Sequence, residues 1–151
     1  MNEQLQKEGA MALVTGASSG IGLAYARELA RRGYDLLLVS NEQERIGTVA
    51  EELAAAFGVK TIPLCMDLAR SEAARELYDY CEREKLQIGI LVNNAGIFFF
   101  DDLTEVAPER IETMLLLHIR TVTLLCRYFG AAMKRRRAGY IPVSYTHLTL
   151  P

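Results

Sequence analysis

The sequence predicts an α/β fold built on a doubly wound parallel sheet, and two observations support that prediction. Short apolar runs alternate with longer segments of helical periodicity along the 151-residue chain. A glycine-rich stretch, residues 15–22, joins the first apolar run to the first helical segment. Strands that alternate with helices form a parallel sheet covered by helices on both faces. No repeat or linker interrupts the alternation, so we expect one domain.

Five apolar runs are predicted to be strands. The first, residues 11–16, is apolar from Met11 to Val14, so we expect it to be buried on both faces of the sheet. The others are predicted over residues 34–40, 60–66, 88–92 and 139–143.

Four helices are predicted between and after these strands. In the first of them, apolar residues from Leu23 to Leu29 repeat at helical spacing. Gly58 is expected to end the second helix, Ser71 to cap the third and Pro108 to begin the fourth. The predicted helices cover residues 21–32, 42–57, 71–85 and 108–137.

The long helix, residues 108–137, is apolar on more than one side. One row of its residues is Ile111, Leu115, His118, Val122, Leu125 and Phe129, and a second is Leu116, Ile119 and Thr123. A helix that is apolar nearly all round is buried on most sides, and the sheet covers only one of them. We therefore predict a homo-oligomer formed through this helix.

Charge and composition argue against several classes of partner. The net charge is −2, which gives no electrostatic basis for binding nucleic acid or an anionic membrane. The one basic run, residues 134–137, ends the long helix, where cations complement the helix dipole; a nucleic-acid patch is the alternative. No apolar run approaches the ~18 residues that span a bilayer. We expect neither a nucleic-acid partner nor a membrane segment.

The cysteines and the N-terminus indicate a cytoplasmic location. Cys65, Cys81 and Cys126 are widely spaced and form no C-x-x-C motif, which is typical of reduced thiols. His118 and His147 do not complete a zinc pattern, so no metal site is expected. Residues 1–10 form a polar N-terminal extension without the features of a signal peptide.

Two motifs follow predicted strands. Residues 15–22 read Thr-Gly-Ala-Ser-Ser-Gly-Ile-Gly, and a strand, a glycine turn and a helix in this order direct backbone N–H groups towards a pyrophosphate. The alternative is a glycine-rich turn without a ligand. Residues 93–96 read Asn-Asn-Ala-Gly at the end of the fourth strand, where small residues allow a flat cofactor to approach the backbone.

Together with Asp67-Leu68 after the third strand, these motifs resemble the short-chain dehydrogenase/reductase family over residues 10 to about 141. The resemblance implies a Rossmann-type domain, a nicotinamide dinucleotide, and hydride transfer between an alcohol and a carbonyl of a small-molecule substrate. It covers the N-terminal, cofactor-binding portion of a typical member.

The resemblance also implies roles for individual residues. The turn is shaped by Gly16, Gly20 and Gly22. The phosphate and ribose are lined by Ser18, Ser19 and Ile21. The residues after the third strand flank the adenine, although Asp67 has the alternative of a hydrated strand-end carboxylate. Those after the fourth strand lie against the ribose and nicotinamide. The expected cofactor-binding residues are Gly16, Ser18, Ser19, Gly20, Ile21, Gly22, Ser40, Asn41, Asp67, Leu68, Asn93, Ala95 and Gly96.

Cofactor choice depends on the end of the second strand. A carboxylate there would bind the ribose of NAD and repel the additional phosphate of NADP. Ser40 and Asn41 occupy that place, and neither side chain repels the additional phosphate. Arg45 lies one turn into the next helix. We expect NAD(P) with a weak preference for NADP, which Glu42 would reverse if its side chain turned inward.

The catalytic residues of the family are not matched. Members use a Ser, and a Tyr followed four residues later by a Lys that lowers the pKa of the Tyr. None of the seven tyrosines here is followed by Lys at that spacing. An auxiliary Asn of the family corresponds to His118, which either takes over its role or satisfies a buried neighbour.

The resemblance stops near Ile141. We expect residues 142–151 to be a foreign or frameshifted tail, and the domain, residues 11–141, to hold the first five strands and to be truncated before the last ones. Three functions follow from this: a truncated and catalytically incomplete oxidoreductase, a non-catalytic dinucleotide-binding module, or an interaction domain that uses the long helix.

Overall fold

Four parallel strands form the sheet, in the order β3-β2-β1-β4. The computed structural model describes residues 10–144. The strands are β1 (Met11–Thr15), β2 (Leu36–Ser40), β3 (Thr61–Cys65) and β4 (Ile88–Val92). In register, Ala12 on β1 lies opposite Leu36 on β2 and Ile90 on β4.

Helices connect consecutive strands, as the alternation predicted. They are α1 (Gly20–Arg31), α2 (Gln43–Phe57), α3 (Ala73–Arg83), α4 (Pro108–Leu115) and α5 (Val122–Arg136). A π-helical segment, Leu116–Thr121, joins α4 to α5 without a break. Among residues 10–144, no helix has both the length and the apolarity needed to cross a membrane.

Two apolar layers lie on opposite faces of the sheet, because successive strand side chains point to opposite sides. Val14 and Leu38 pack in the layer that also contains Ala26 of α1 and Val49 of α2. The opposite layer combines Leu13, Leu37 and Leu91 with side chains of α3 and α5. This three-layer arrangement confirms the predicted Rossmann-type α/β fold.

The fifth predicted strand, residues 139–143, is reduced to two isolated bridges. Tyr140 pairs with Ile90, and Val143 pairs with Asn93, both in the parallel direction. Tyr140 N donates to Gly89 O at 3.0 Å and Ser144 N donates to Asn93 O at 2.8 Å. Pro142 lies between them and has no N–H, so the ladder loses its middle bond and no continuous strand forms.

The third helix begins at Ala73. The prediction that Ser71 caps it is wrong. The N-cap position belongs to Glu72, and no side chain bonds to the end of the helix. The acceptor for the N–H of Ala73 is the backbone oxygen of Arg70 at 3.2 Å, so a backbone turn precedes the helix in place of a side-chain cap.

The long helix buries the first predicted row only in its second half, at Leu125 and Phe129. Leu117, Thr121, Leu125, Phe129 and Met133 are buried at a constant spacing of four residues. Leu115, which was predicted on the same side as Leu125, is 45% exposed. The π-helical segment widens the turn and shifts the buried row, because its hydrogen bonds skip one additional residue.

Proline also marks the outer strand of the sheet. Pro63 is the central residue of β3 and lies opposite Leu38 in the register. Met66 N donates to Ser40 O at 2.9 Å, so the even-numbered peptide groups here face β2. By alternation, the ring nitrogen of Pro63 faces outward, where its missing N–H costs the sheet no internal bond.

Candidate functional site

A cleft of about 390 Å³ opens at the carboxyl ends of β1, β2 and β4. This is where α/β sheets bind ligands. The residues lining it are Gly16, Ser18, Ser19, Val39, Ser40, Asn41, Glu42, Met66, Asp67, Leu68, Ala69, Asn94, Ala95, Gly96, Ile97, Thr113 and Leu117. The fold thus brings nine of the thirteen predicted cofactor residues to one cavity, which we call the dinucleotide cleft.

Two glycines allow the glycine loop to pack closely between α1 and the end of β4. Gly16 has φ +65°, and a Cβ there would lie 2.8 Å from Ala95 Cα. A Cβ on Gly22 would lie 2.1 Å from Gly16 O and 2.4 Å from Asn94 Nδ2. Neither position has room for a side chain, so the loop packs directly on the end of β4.

The first turn of α1 has the properties of an anion-binding site. Ser19 is its N-cap residue but makes no side-chain cap bond, and the first turn contains no acidic residue. The first N–H groups of a helix lack acceptors within the helix, and the helix dipole adds partial positive charge there. An anionic group at the mouth of this turn is therefore favoured.

A hydrogen-bond network centred on Thr15 joins the glycine loop to the end of β4. The Thr15 hydroxyl donates to Val92 O at 3.2 Å and accepts from Asn94 N at 2.9 Å and Ala95 N at 3.0 Å. The Asn94 side-chain amide donates to Thr15 O at 3.2 Å and Gly16 O at 3.3 Å. Sequence reasoning singled out neither residue for this role. The available signal was their placement, a hydroxyl and an amide at the ends of neighbouring strands.

Asn93, by contrast, was predicted to line the cleft but does not. It is 1% exposed, and its Nδ2 lies 3.5 Å from Cys126 Sγ on α5. Its Oδ1 is buried without a hydrogen-bond partner among the described residues. Asn93 points away from the cleft because it follows β4 one residue before Asn94, and alternation sends the two side chains to opposite sides.

Gly20, Ile21 and Gly22 also lie outside the cleft lining. Gly22 is buried beneath the loop, and Ile21 lines a neighbouring pocket. Their contribution to the cleft is through the backbone of the first turn of α1.

The base of the cleft at the end of β2 is polar. Ser40 Oγ donates to Ser18 Oγ at 3.0 Å and accepts from Glu42 N at 3.1 Å, and both serines are buried. Glu42 lines the cleft, and its Oε2 lies 3.4 Å from Arg45 Nη1. The ion pair of Glu42 and Arg45 therefore lies at this end of the cleft.

The residues after β3 form another wall of the cleft. Asp67 Oδ1 accepts from Ala69 N at 2.9 Å, which fixes the turn. Leu68 is buried, and its backbone oxygen accepts from Thr121 Oγ1 at 2.8 Å. One Asp67 carboxylate oxygen is thus occupied by its own turn, and the other remains available for a ligand donor.

His118 lies on the π-helical segment and contacts the wall shared with a second pocket. Its Nε2 is 3.0 Å from Ile97 N and 2.9 Å from Ile97 O. The neutral ring with a bare Nε2 accepts from the N–H, whereas a protonated Nε2 donates to the oxygen. A Cβ on Gly96 would lie 2.8 Å from His118 Cε1, so the ring packs directly against that glycine.

Two comparisons relate this chain to known sequences. The family model described as short chain dehydrogenase matches residues 10–143. The chain is 37% identical over 140 residues to the very-long-chain 3-oxoacyl-CoA reductase of Anas platyrhynchos, covering 88% of this chain and 44% of that protein. It is 32% identical over 142 residues to the inactive hydroxysteroid dehydrogenase-like protein 1 of Homo sapiens, covering 91% of this chain and 42% of that protein.

A solved structure shows the same architecture. The short-chain dehydrogenase from Sphingobium yanoikuyae in complex with NADPH superposes with a TM-score of 0.83 at 34% identity, covering 89% of this chain and 52% of that chain. The chain spans less than half the length of the two curated relatives and about half that of the solved one.

Proposed function

The chain belongs to the short-chain dehydrogenase family, and from that membership we propose that it is the cofactor-binding part of an NAD(P)-dependent oxidoreductase. The reaction is hydride transfer between an alcohol and a carbonyl. The observation that carries the proposal is the glycine loop, packed without side chains on the end of β4 and leading into an uncapped helix.

The residues of the dinucleotide cleft fit a dinucleotide. Gly16 lines the cleft beside Ser18 and Ser19, and the first turn of α1 would hold the pyrophosphate. Asp67 would accept from the adenine amino group, and Ala95 with Gly96 would lie along the nicotinamide side. When bound, the nicotinamide supplies or accepts the hydride.

NADP is the preferred form in this proposal. Ser40 and Asn41 carry no charge that would repel a 2′-phosphate, and Arg45 lies within reach of Glu42 at the same end of the cleft. The solved relative from Sphingobium yanoikuyae is in complex with NADPH. Glu42 opposes this preference, and its pairing with Arg45 reduces that opposition.

We also propose that this chain does not turn over. No tyrosine in the sequence is followed four residues later by Lys, so the proton donor of the family is unmatched. Tyr145, which Thr149 follows at the spacing of the family's Lys, lies outside the described residues. His118 is the substitute for the auxiliary Asn in this proposal, because it contacts the Ile97 peptide at the edge of the cleft.

The alternative is a non-catalytic dinucleotide-binding module. It is favoured by the same unmatched tyrosine–lysine pair, and a human relative carries the name inactive hydroxysteroid dehydrogenase-like protein 1. Dinucleotide binding without turnover, in a gene whose uninterrupted native frame runs through codons 142–151, would favour this module over a truncated enzyme.

Calorimetric titration of the whole chain with NADPH and NADH tests the cofactor proposal. Ser19→Glu places a carboxylate at the first turn of α1 and should weaken NADPH binding at least ~10-fold by repulsion. Ser71→Glu is the matched control, since Ser71 is exposed and outside the cleft lining. An absence of binding by the unmodified chain, or equal binding by the Ser19→Glu variant, would refute the proposal.

Self-association through the long helix, in the cytoplasm, completes the proposal. The support is the mixed apolar surface of residues 108–137, where Leu115 and Ile119 remain exposed although six other residues are buried. Light scattering on the purified chain should give a mass that is a multiple of 16.9 kDa. A mass equal to one chain at all concentrations would exclude it.

A further inference from the structure

Two walls of the dinucleotide cleft are contacted by the same short piece of the long helix. We call residues 66–69, after β3, the adenine wall and residues 94–97, after β4, the nicotinamide wall, in keeping with the proposed function. The π-helical segment, Leu116–Thr121, contacts the adenine wall through Thr121 and the nicotinamide wall through His118. Turns of π-helix inside longer helices are frequent at functional sites.

Thr121 uses its hydroxyl for a contact outside its own helix. A threonine on a helix often turns this group back to the carbonyl four residues earlier, and Thr113 does so, donating to Glu109 O at 2.7 Å. The Thr121 hydroxyl instead donates to Leu68 O at 2.8 Å, although the two residues are 53 positions apart in the sequence. This bond therefore joins two separate parts of the fold.

The bond between Thr121 and Leu68 is shielded from water. Thr121 is 2% exposed and Leu68 is 5% exposed. A buried carbonyl that loses its donor bears the cost of desolvation without compensation. Without the Thr121 hydroxyl, the adenine wall would either carry an unsatisfied peptide oxygen or shift from its present position.

Two other contacts of the adenine wall leave its orientation open. Asp67 Oδ1 accepts from Ala69 N at 2.9 Å, but this bond lies within the turn and fixes only its local shape. The Leu68 side chain packs in the apolar layer that includes α3 and α5, and apolar packing is non-directional. The Thr121 hydrogen bond is directional, so it orients the wall relative to the rest of the cleft.

His118 contacts the nicotinamide wall from the same segment. Its Nε2 lies 3.0 Å from Ile97 N and 2.9 Å from Ile97 O, and a Cβ on Gly96 would lie 2.8 Å from its Cε1. Side chains three residues apart lie on the same face of an α-helix. The wider turn of a π-helix increases the angle between such side chains, which allows His118 and Thr121 to reach different walls.

We propose that Thr121 is a positioning residue for the dinucleotide. Its hydroxyl orients the adenine wall, while His118 on the same π-helical segment holds the nicotinamide wall, so the two walls keep a fixed separation. The proposal rests on the proposed function, because the two walls are defined by the two ends of the cofactor. It deepens that function by assigning a role in cofactor binding to a residue outside the cleft lining.

Two ligands separate the two walls in calorimetric titrations of the whole chain. NADPH extends along both walls, whereas adenosine 2′,5′-bisphosphate, its adenine half, reaches the adenine wall alone. Thr121→Val keeps the shape of the side chain and removes the hydroxyl. We expect this variant to bind both ligands about 3- to 10-fold more weakly, because the adenine wall loses its orienting bond. Unchanged binding of the bisphosphate would overturn the proposal.

A rescue variant and a matched control distinguish positioning from a general loss of stability. Thr121→Ser keeps the hydroxyl and should bind both ligands within about 2-fold of the unmodified chain. Thr61→Val removes a hydroxyl that donates to Ala50 O at 2.9 Å, and it should lose stability in urea denaturation without losing affinity. Weak binding by Thr121→Ser, or equal losses of affinity in the two valine variants, would contradict the assigned role.

His118→Ala tests the other end of the π-helical segment. This variant should bind NADPH at least ~3-fold more weakly and bind the bisphosphate normally, because only the nicotinamide wall is released. An equal loss of affinity for both ligands would contradict the division of the cleft into two walls.

The unmodified chain separates this inference from the proposed function. NADPH binding that Thr121→Val leaves intact would overturn only the role of Thr121. A failure of the unmodified chain to bind either ligand would overturn the proposed function and this inference with it.

Discussion

Thr15 and Asn94 hold each other through two hydrogen bonds that run across the strand ends. Asn94 N donates to the Thr15 hydroxyl at 2.9 Å, and Asn94 Nδ2 donates to Thr15 O at 3.2 Å. Because Asn94 Nδ2 also reaches Gly16 O at 3.3 Å, this amide joins the glycine loop to the end of β4. The shape of the dinucleotide cleft depends on this pair.

Removal of the Thr15 hydroxyl should therefore affect both folding and binding. Thr15→Val leaves Val92 O, Asn94 N and Ala95 N without their shared partner, at a cost of about 1–3 kcal/mol in the free energy of unfolding. Urea denaturation measures this loss, and NADPH affinity should fall in parallel. Thr61→Val removes a hydroxyl that bonds Ala50 O on the outer strand and should leave NADPH affinity unchanged. Equal effects of the two variants on affinity would contradict the assigned role of Thr15.

Conversion of the Asn94 amide to an acid tests the donor role of its side chain. In Asn94→Asp a carboxylate faces the oxygens of Thr15 and Gly16, and like partial charges repel. We expect NADPH affinity to fall at least ~10-fold, equivalent to about 1.4 kcal/mol. Gln87→Glu makes the same chemical change just before the start of β4, at the opposite end of that strand, and should bind NADPH normally. Normal binding by Asn94→Asp would show that this amide does not shape the cleft.

Alanine at two helical glycines should have opposite effects. Gly22→Ala places a Cβ 2.1 Å from Gly16 O, so we expect a loss of at least about 3 kcal/mol in unfolding free energy. A Cβ on Gly47 in α2 meets nothing within 4 Å, so Gly47→Ala should stabilise the chain by about 0.5–1 kcal/mol. Thermal or urea denaturation compares the two directly. Tolerance of Gly22→Ala would mean that the loop does not pack on α1 as described.

Neutralising Glu42 should shift cofactor preference towards NADP. Glu42→Gln removes a carboxylate from the cleft and releases Arg45, whose Nη1 lies 3.4 Å from it. We expect the ratio of NADPH to NADH affinity to rise by about 3- to 10-fold, because the two cofactors differ in charge only by the additional phosphate. Glu44→Gln, in the first turn of α2 but outside the cleft lining, should leave the ratio unchanged. A ratio that stays constant in the Glu42→Gln variant would exclude this residue as a determinant.

The cysteines should react in an order set by burial. Burial, assisted by the charge of Glu82, raises the pKa of Cys81 to about 12, so almost no thiolate forms at pH 8. Burial also raises the pKa of Cys126, whereas Cys65 is exposed. With iodoacetamide at pH 8, mass spectrometry should find Cys65 modified first and Cys81 only after unfolding. Early modification of Cys81 would show that α3, which carries this residue, does not pack on the sheet in solution.

Several features of the fold could be predicted because they depend on local pattern. A short apolar run such as residues 36–39 predicts a buried strand. The glycines of residues 15–22 predict a tight turn that has no room for side chains. The position of the cleft follows from these two facts, because parallel strands place their carboxyl ends together.

The remaining features depend on contacts that local pattern does not encode. Asn93 and Asn94 are identical residues in sequence, and which one faces the cleft depends on the phase of β4. The π-helical segment shifts the buried row of the long helix, and no single residue in it signals the wider turn. Pro142 is a sequence signal against a fifth strand, because its missing N–H breaks the hydrogen-bond ladder at that point.

The outward-facing ring of Pro63 makes the β3 edge of the sheet unfavourable for pairing with another strand. An incoming chain at β3 meets a peptide group that cannot donate, whereas the far side of β4 still donates from Leu91 and Asn93 to the backbone of Tyr140 and Pro142. Any further β-structure, whether from the same polypeptide or another, should therefore add beyond β4 and not beyond β3.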